Sequence, residues 1–121
     1  MRVIFGIMVA LSLSAGNALA GDAAKGEKVF KKCKACHVVD SEKNKTGPHL
    51  VNILGRPAAS VESYKKYSKA MKNSGFIWDE ATLDGYLTAP KKYLKGTKMA
   101  FAGLRKEKDR ANIIAYFKSL Q

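Results

Sequence analysis

The sequence predicts a small single-domain all-α fold with long loops, on three observations. Ile113, Tyr116, Phe117 and Leu120 recur at i, i+3, i+4 and i+7, the spacing of one helix face. No segment alternates apolar and polar residues over the length of a strand. Residues 38–61 and 90–103 scatter their apolar side chains among Gly47, Pro48, Gly55, Pro57, Pro90, Gly96 and Gly103 and keep neither period, so both read as loops. At 121 residues the chain holds one domain's worth of sequence. Two cysteines exclude a disulfide-dense scaffold, and 26% charged residues with three prolines argue against wholesale disorder.

The first 20 residues stand apart. They contain 14 apolar side chains, one charge (Arg2) and no acid. Arg2, the apolar run 3–13 and the small-x-small triplet Ala18, Leu19, Ala20 read as a secretory signal peptide cut after Ala20, leaving a domain of residues 21–121. An uncleaved membrane anchor is the alternative. Ser12, Ser14, Gly16 and Asn17 interrupt the run, which is short for a span.

Within residues 21–121 the elements follow in order. A first helix starts at the N-cap candidate Asp22 and spans about 23–32, with Gly26, Val29, Phe30 and Cys33 on one face. Gly26 costs that helix about 1 kcal/mol in propensity, which points to a close packing partner. After the 38–61 loop, a short helix over 69–73 follows Ser68 and is closed by Gly75. Another helix is capped by Asp79, turns Leu83, Tyr86 and Leu87 inward and stops before Pro90. The last, about 107–119, carries Glu107 and Asp109 in its first turn and Lys118 near its end, as the helix dipole favours.

These loops pose a physical problem. Irregular stretches of this length are uncommon in a compact domain without an organiser, and residues 21–121 hold only 42 apolar side chains. A large apolar prosthetic group would supply both order and core. Cys33, Lys34, Ala35, Cys36 and His37 form Cys-x-x-Cys-His, the attachment motif of a c-type haem. Cysteines three apart project to one side of a helical turn, where their sulfurs can form thioethers with one porphyrin, and His37 can reach the iron. A redox dithiol would need a βαβ setting, which the sequence lacks. A zinc site would have to recruit His49, distant from the pair.

The second axial ligand separates electron transfer from ligand chemistry. Past residue 20 only Met71 and Met99 offer a thioether. Met99 lies in an aperiodic loop where mere packing is a poor explanation, whereas Met71, in a short helix, reads as core filler. A neutral sulfur ligand favours reduced iron, so the expected chemistry is one-electron carriage with no substrate transformed. The alternative is a small haem peroxidase or gas-binding sensor in which Met99 is displaced.

The chain resembles the class I c-type cytochromes, in particular the mitochondrial-like soluble periplasmic cytochromes c of bacteria. The resemblance runs through Gly26, Phe30, Cys33 to His37, Thr46-Gly47-Pro48, Leu54-Gly55-Arg56, Trp78, Tyr86-Leu87, Pro90-Lys91-Lys92-Tyr93, Gly96-Thr97-Lys98-Met99 and Ala115-Tyr116. It implies helices and long loops wrapped around one haem c held by Cys33 and Cys36, with His37 and Met99 as the iron ligands. It further implies that the Pro48 carbonyl accepts the His37 N–H, that Arg56, Tyr67 and Trp78 surround the haem propionates, that Ser68 and Thr97 reach a propionate, and that Tyr86 lies beside the methionine sulfur. Gly26 with Tyr116 implies a close crossing of the terminal helices. Met71 stands where the mitochondrial proteins carry a polar residue, and Lys95 replaces a proline ahead of Gly96.

Charge suggests the partner. Residues 21–121 keep 21 of the 22 basic side chains and all 10 acidic ones, a formal +11. By the resemblance Lys28, Lys32, Lys45, Lys91, Lys92, Lys98, Arg105 and Lys106 ring the haem edge. Such a ring would steer the protein onto acidic docking faces of membrane or periplasmic redox proteins, with rates that fall as salt rises. Weak association with anionic membranes is a secondary expectation. Nucleic-acid binding fits poorly with an export signal and a haem motif. A periplasmic monomer is expected.

Overall fold

The computed structural model describes residues 20–121, so the expected signal peptide lies almost wholly outside the described residues. Five helices follow in order: α1 (Ala23–Phe30), α2 (Lys69–Lys72), α3 (Glu80–Thr88), α4 (Pro90–Tyr93) and α5 (Glu107–Ser119). The described residues contain no strand. The nearest approach to one is a single antiparallel bridge between Pro57 and Ile77. Around it the first loop is stitched to the segment before α3: Ala58 N–H donates to the Phe76 carbonyl, Gly55 N–H to Trp78 and Trp78 N–H to Arg56.

Asp22 caps α1 as expected, its carboxylate accepting the Lys25 N–H at 3.0 Å. The helix stops two residues sooner than its pattern suggests. From Lys31 onward the chain runs on in tighter turns, with Lys31, Lys32 and Cys33 each donating three residues back. Ser68 and Asp79 cap α2 and α3 through the N–H groups of Met71 (3.0 Å) and Thr82 (2.7 Å).

One loop expectation needs correction. The first four residues of the 90–103 stretch form α4, because Pro90 at the first helical position has its φ pre-set and needs no N–H there. A second correction concerns α5. Its bounds agree with the pattern, but Leu120 is 48% exposed, and Ile114 is buried instead. The helix packs against both α1 and α3, so its buried stripe is wider than one i, i+3, i+4, i+7 row.

The α1–α5 crossing anchors the molecule. A Cβ at Gly26 would overlap the Asn112 carbonyl and crowd Tyr116, so the two backbones touch there. Phe30 sits 5.7 Å from the Tyr116 ring and 6.2 Å from Phe117. The Asp22 N–H donates to the Asn112 side-chain oxygen at 2.8 Å, across 90 residues of sequence. The core continues through Ile53, Trp78, Leu83, Tyr86, Leu87, Leu104 and Ile113, with Cys33, Met71 and Met99 partly buried along its edge.

Candidate haem site

The turns after α1 build the attachment motif. Cys36 N–H donates to the Cys33 carbonyl at 3.1 Å and His37 N–H to the same oxygen at 2.9 Å, so Cys33, Cys36 and His37 share one turn of backbone. Both cysteines are partly buried and neither is in a disulfide. Burial, with the neighbouring Cys36 adding to it and Lys32 opposing it, pushes the Cys33 thiol up to about 11. A redox dithiol needs the opposite shift, toward thiolate. Among the described residues no three His, Cys, Asp or Glu side chains gather as a metal site of their own, so the zinc alternative also lacks its ligands.

His37 is fixed in one tautomer. Its Nδ1 donates to the Pro48 carbonyl at 2.7 Å, which leaves Nε2 as the free ligand atom. The imidazole lies directly on Gly47, where any Cβ would collide with the ring. Burial lowers the His37 pKa, with nearby Arg56 contributing the same way and the Pro48 bond opposing, so the ring is neutral as a ligand must be.

Met99 is held by a short cycle of hydrogen bonds. Its N–H donates to Thr97 Oγ1 at 3.4 Å, the Thr97 and Tyr86 hydroxyls are 2.8 Å apart, and the Tyr86 O–H donates to Met99 Sδ at 3.7 Å. Since Tyr86 spends its proton on sulfur, Thr97 donates to Tyr86. Thus Thr97, expected at a propionate, here connects the backbone of residue 99 to its own sulfur. Burial raises the Tyr86 pKa, opposed by the Thr97 bond. Trp78 packs on Tyr86 with ring centroids 5.1 Å apart.

Tyr67 lies near enough to Arg56 to act on its charge, and Ser68 follows Tyr67 as the cap of α2. The Arg56 Nη1 and Nη2 donate to the carbonyls of Val51 and His49, both at 3.0 Å. Its Nε is the one buried side-chain polar atom without a partner among the described residues. Tyr67 accepts the Val61 N–H at 3.2 Å and keeps its own proton to donate. Ser68 accepts from Met71 as a cap, likewise leaving its O–H free. Three unspent donors suit a carboxylate, the group a haem carries at one edge. Met71, like Met99, packs partly buried against the core.

The eight candidate docking cations are all exposed, and only Lys45 is tied, its Nζ donating to the Lys34 carbonyl at 3.1 Å. Three other residues that position the site are not among those the sequence reading singled out. Asn112 ties α5 to the start of α1, Arg110 bonds Asp84 (2.7 Å) and the carbonyls of Leu104 and Arg105, and Tyr64 donates to the Thr46 carbonyl at 2.6 Å. A polar residue inside the apolar stretch 111–117 was the only available signal, and it pointed to Asn112.

Comparison with known proteins agrees with this geometry. The family model for cytochrome c matches residues 23–121. Cytochrome c2 of Rhodomicrobium vannielii is 52% identical over 108 residues, covering 88% of this chain and 86% of the relative. Cytochrome c-554 of Methylosinus trichosporium is 50% identical over 110 residues, covering 89% and 83%. The solved structure of cytochrome cH from Methylobacterium extorquens superimposes with a TM-score of 0.77 at 46% identity, over 82% of this chain and 99% of that one.

Proposed function

The chain belongs to the class I cytochromes c, and from that premise we propose how its residues divide the work. It is a one-electron carrier and not an enzyme, and it binds one haem c covalently through Cys33 and Cys36. The relatives lend no support to a peroxidase or gas sensor. When bound, the haem supplies an Fe(III)/Fe(II) couple. The protein's part is to hold, orient and shield it.

In this reading His37 and Met99 would hold the haem iron. The observation that carries it is the pairing of two pre-set ligand atoms: an imidazole with Nδ1 spent on Pro48, and a thioether held by Tyr86. Ligand atoms fixed beforehand by the protein would need little rearrangement when an electron is gained or lost. Arg56, Tyr67, Trp78 and Ser68 receive the propionate edge. The Met99→Ala protein tests the assignment: its potential falls by on the order of 100 mV, within the roughly 0.8 V that axial ligands span, and reduced iron binds carbon monoxide at neutral pH. A Met99→Ala protein that stays low-spin and closed, or a Met71→Ala protein that opens, would sink it.

The partners are redox complexes of the membrane or periplasm. We infer that Lys28, Lys32, Lys45, Lys91, Lys92, Lys98, Arg105 and Lys106 present the docking surface for acidic faces, and that a monomer of residues 21–121 works in the periplasm once residues 1–20 are removed. No helix among the described residues is long and apolar enough to cross a membrane. Changing Lys91, Lys92 and Lys98 together to glutamine should slow reduction by a partner several-fold at low salt and flatten the salt dependence. An unchanged slope would remove the docking surface.

A further inference from the structure

His49 is the second histidine, and nothing in the function above uses it. The residue is 9% exposed, in the turn that follows Pro48. The polar groups of that turn are committed. The His49 N–H donates to Asn44 Oδ1 at 3.0 Å, and the carbonyls of His49 and Val51 accept the two terminal nitrogens of Arg56. The Val51 N–H donates to His49 Nδ1 at 3.3 Å. A ring nitrogen that accepts carries no proton, so the ring is neutral with its hydrogen on Nε2.

We propose that His49 is a proton-linked positioning residue for Arg56: neutral, it closes the turn whose carbonyls aim the guanidinium, and protonated, it releases Val51 and sets a second cation beside Arg56. The midpoint potential then carries a pH dependence that belongs to His49. The inference rests on Arg56 facing the propionate edge.

Two charged groups, Arg56 and Glu42, act on the ring, and a third, Glu62, lines the same cleft. Arg56 shares the turn, while Glu42 from the preceding segment and Glu62 from the following one line the same cleft of about 680 Å³, with Ser60 and Ser63. Burial and Arg56 push the His49 pKa below its ordinary value, and Glu42 opposes them. The direction of coupling follows from charge. A proton on His49 disfavours the more positive oxidised state, so the potential is higher at low pH and falls as pH rises through the His49 pKa. By reciprocity the reduced protein binds that proton more tightly. A twofold difference in proton affinity corresponds to about 18 mV, at 59 mV per decade for one electron.

The test titrates the holoprotein between pH 4 and 8 in both oxidation states, following the His49 imidazole by NMR and the potential at the same pH values. The wild type should show a His49 pKa below 6.5, about twofold tighter proton binding when reduced, and a matching fall in potential. In His49→Asn the side-chain oxygen replaces Nδ1 as acceptor for Val51 and does not titrate. That protein should keep the wild-type potential at pH 8 and lose the slope below it. A pKa at or above 6.5, equal affinity in the two states, or a slope that survives in His49→Asn overturns the proposal. Arg56→Lys isolates the underlying reading. An unchanged potential at pH 8 overturns the placement of Arg56, whereas a shifted potential with the slope intact in His49→Asn overturns the role of His49 alone.

Discussion

Where α1 crosses α5, backbone meets backbone: Gly26 lies against the Asn112 carbonyl, and Phe30 is closed in by Tyr116 and Phe117. In the 38–61 loop Ile53 and Val61 are buried, and the rest of the chain is tied by single hydrogen bonds such as Gly55 to Trp78, Ala58 to Phe76 and Arg56 to its two carbonyls. The crossing gains stability from apolar area removed from water, with residues already helical. The loop has no such periodic face, so its order depends on side chains that converge on the haem site. One region sets whether the protein folds, and the other sets what the folded protein does.

That division can be broken by glycine substitutions. Gly26→Ala would force the helices apart at a point where the obstacle is backbone, and should cost about 3 kcal/mol in urea unfolding. The absorption spectrum of the folded fraction should not change, since a side chain at Gly26 meets Asn112 and Tyr116 and not His37. Gly47→Ala meets the imidazole of His37, which can tilt. It should cost less, about 1 to 2 kcal/mol, but shift the Soret band and the potential. If Gly26→Ala altered the spectrum as much as Gly47→Ala did, the two regions would not be separable.

The smallest effect sharpens the comparison from the site's side. Tyr86→Phe removes the hydroxyl joining Thr97 to the Met99 sulfur and should cost about 1 kcal/mol at pH 7. Its pH dependence is more telling. Burial raises the Tyr86 pKa in the folded protein, so the unfolded chain ionises first, near pH 10, and the stability owed to the neutral phenol is constant below that and declines as pH rises toward the folded value. The advantage of wild type over Tyr86→Phe in unfolding midpoint should narrow as pH rises above 10. A constant difference would mean the phenol is not held neutral.

Helices were legible where pattern and cap agree. Asp22, Ser68 and Asp79 all cap as their residue types suggest, and α5 spans the segment its periodicity marks. Legibility failed where one residue answers to two neighbours. Leu120 fits the α5 stripe by spacing yet is exposed, while Ile114 is buried because α3 packs on the same helix. The helical turn α4 was hidden because Pro90 reads as a break unless the extended conformation of Ala89 is known. In the site, Cys33, Cys36 and His37 are adjacent in sequence and so were readable together. The bonds from Thr97 to Tyr86 and to the backbone of Met99 are visible only in the structure.

By itself, the sequence determined the attachment chemistry, because thioether formation needs two thiols and an imidazole at fixed short spacing, and such spacing is local. It also determined the basic balance and the helical periods. Only the tertiary structure decided which hydroxyl steadies the sulfur, which carbonyls hold Arg56 and that Gly26 is a point of backbone contact. Those arrangements join residues up to 90 positions apart, and hydrogen bonds and close packing depend on distances in space that no sequence interval specifies.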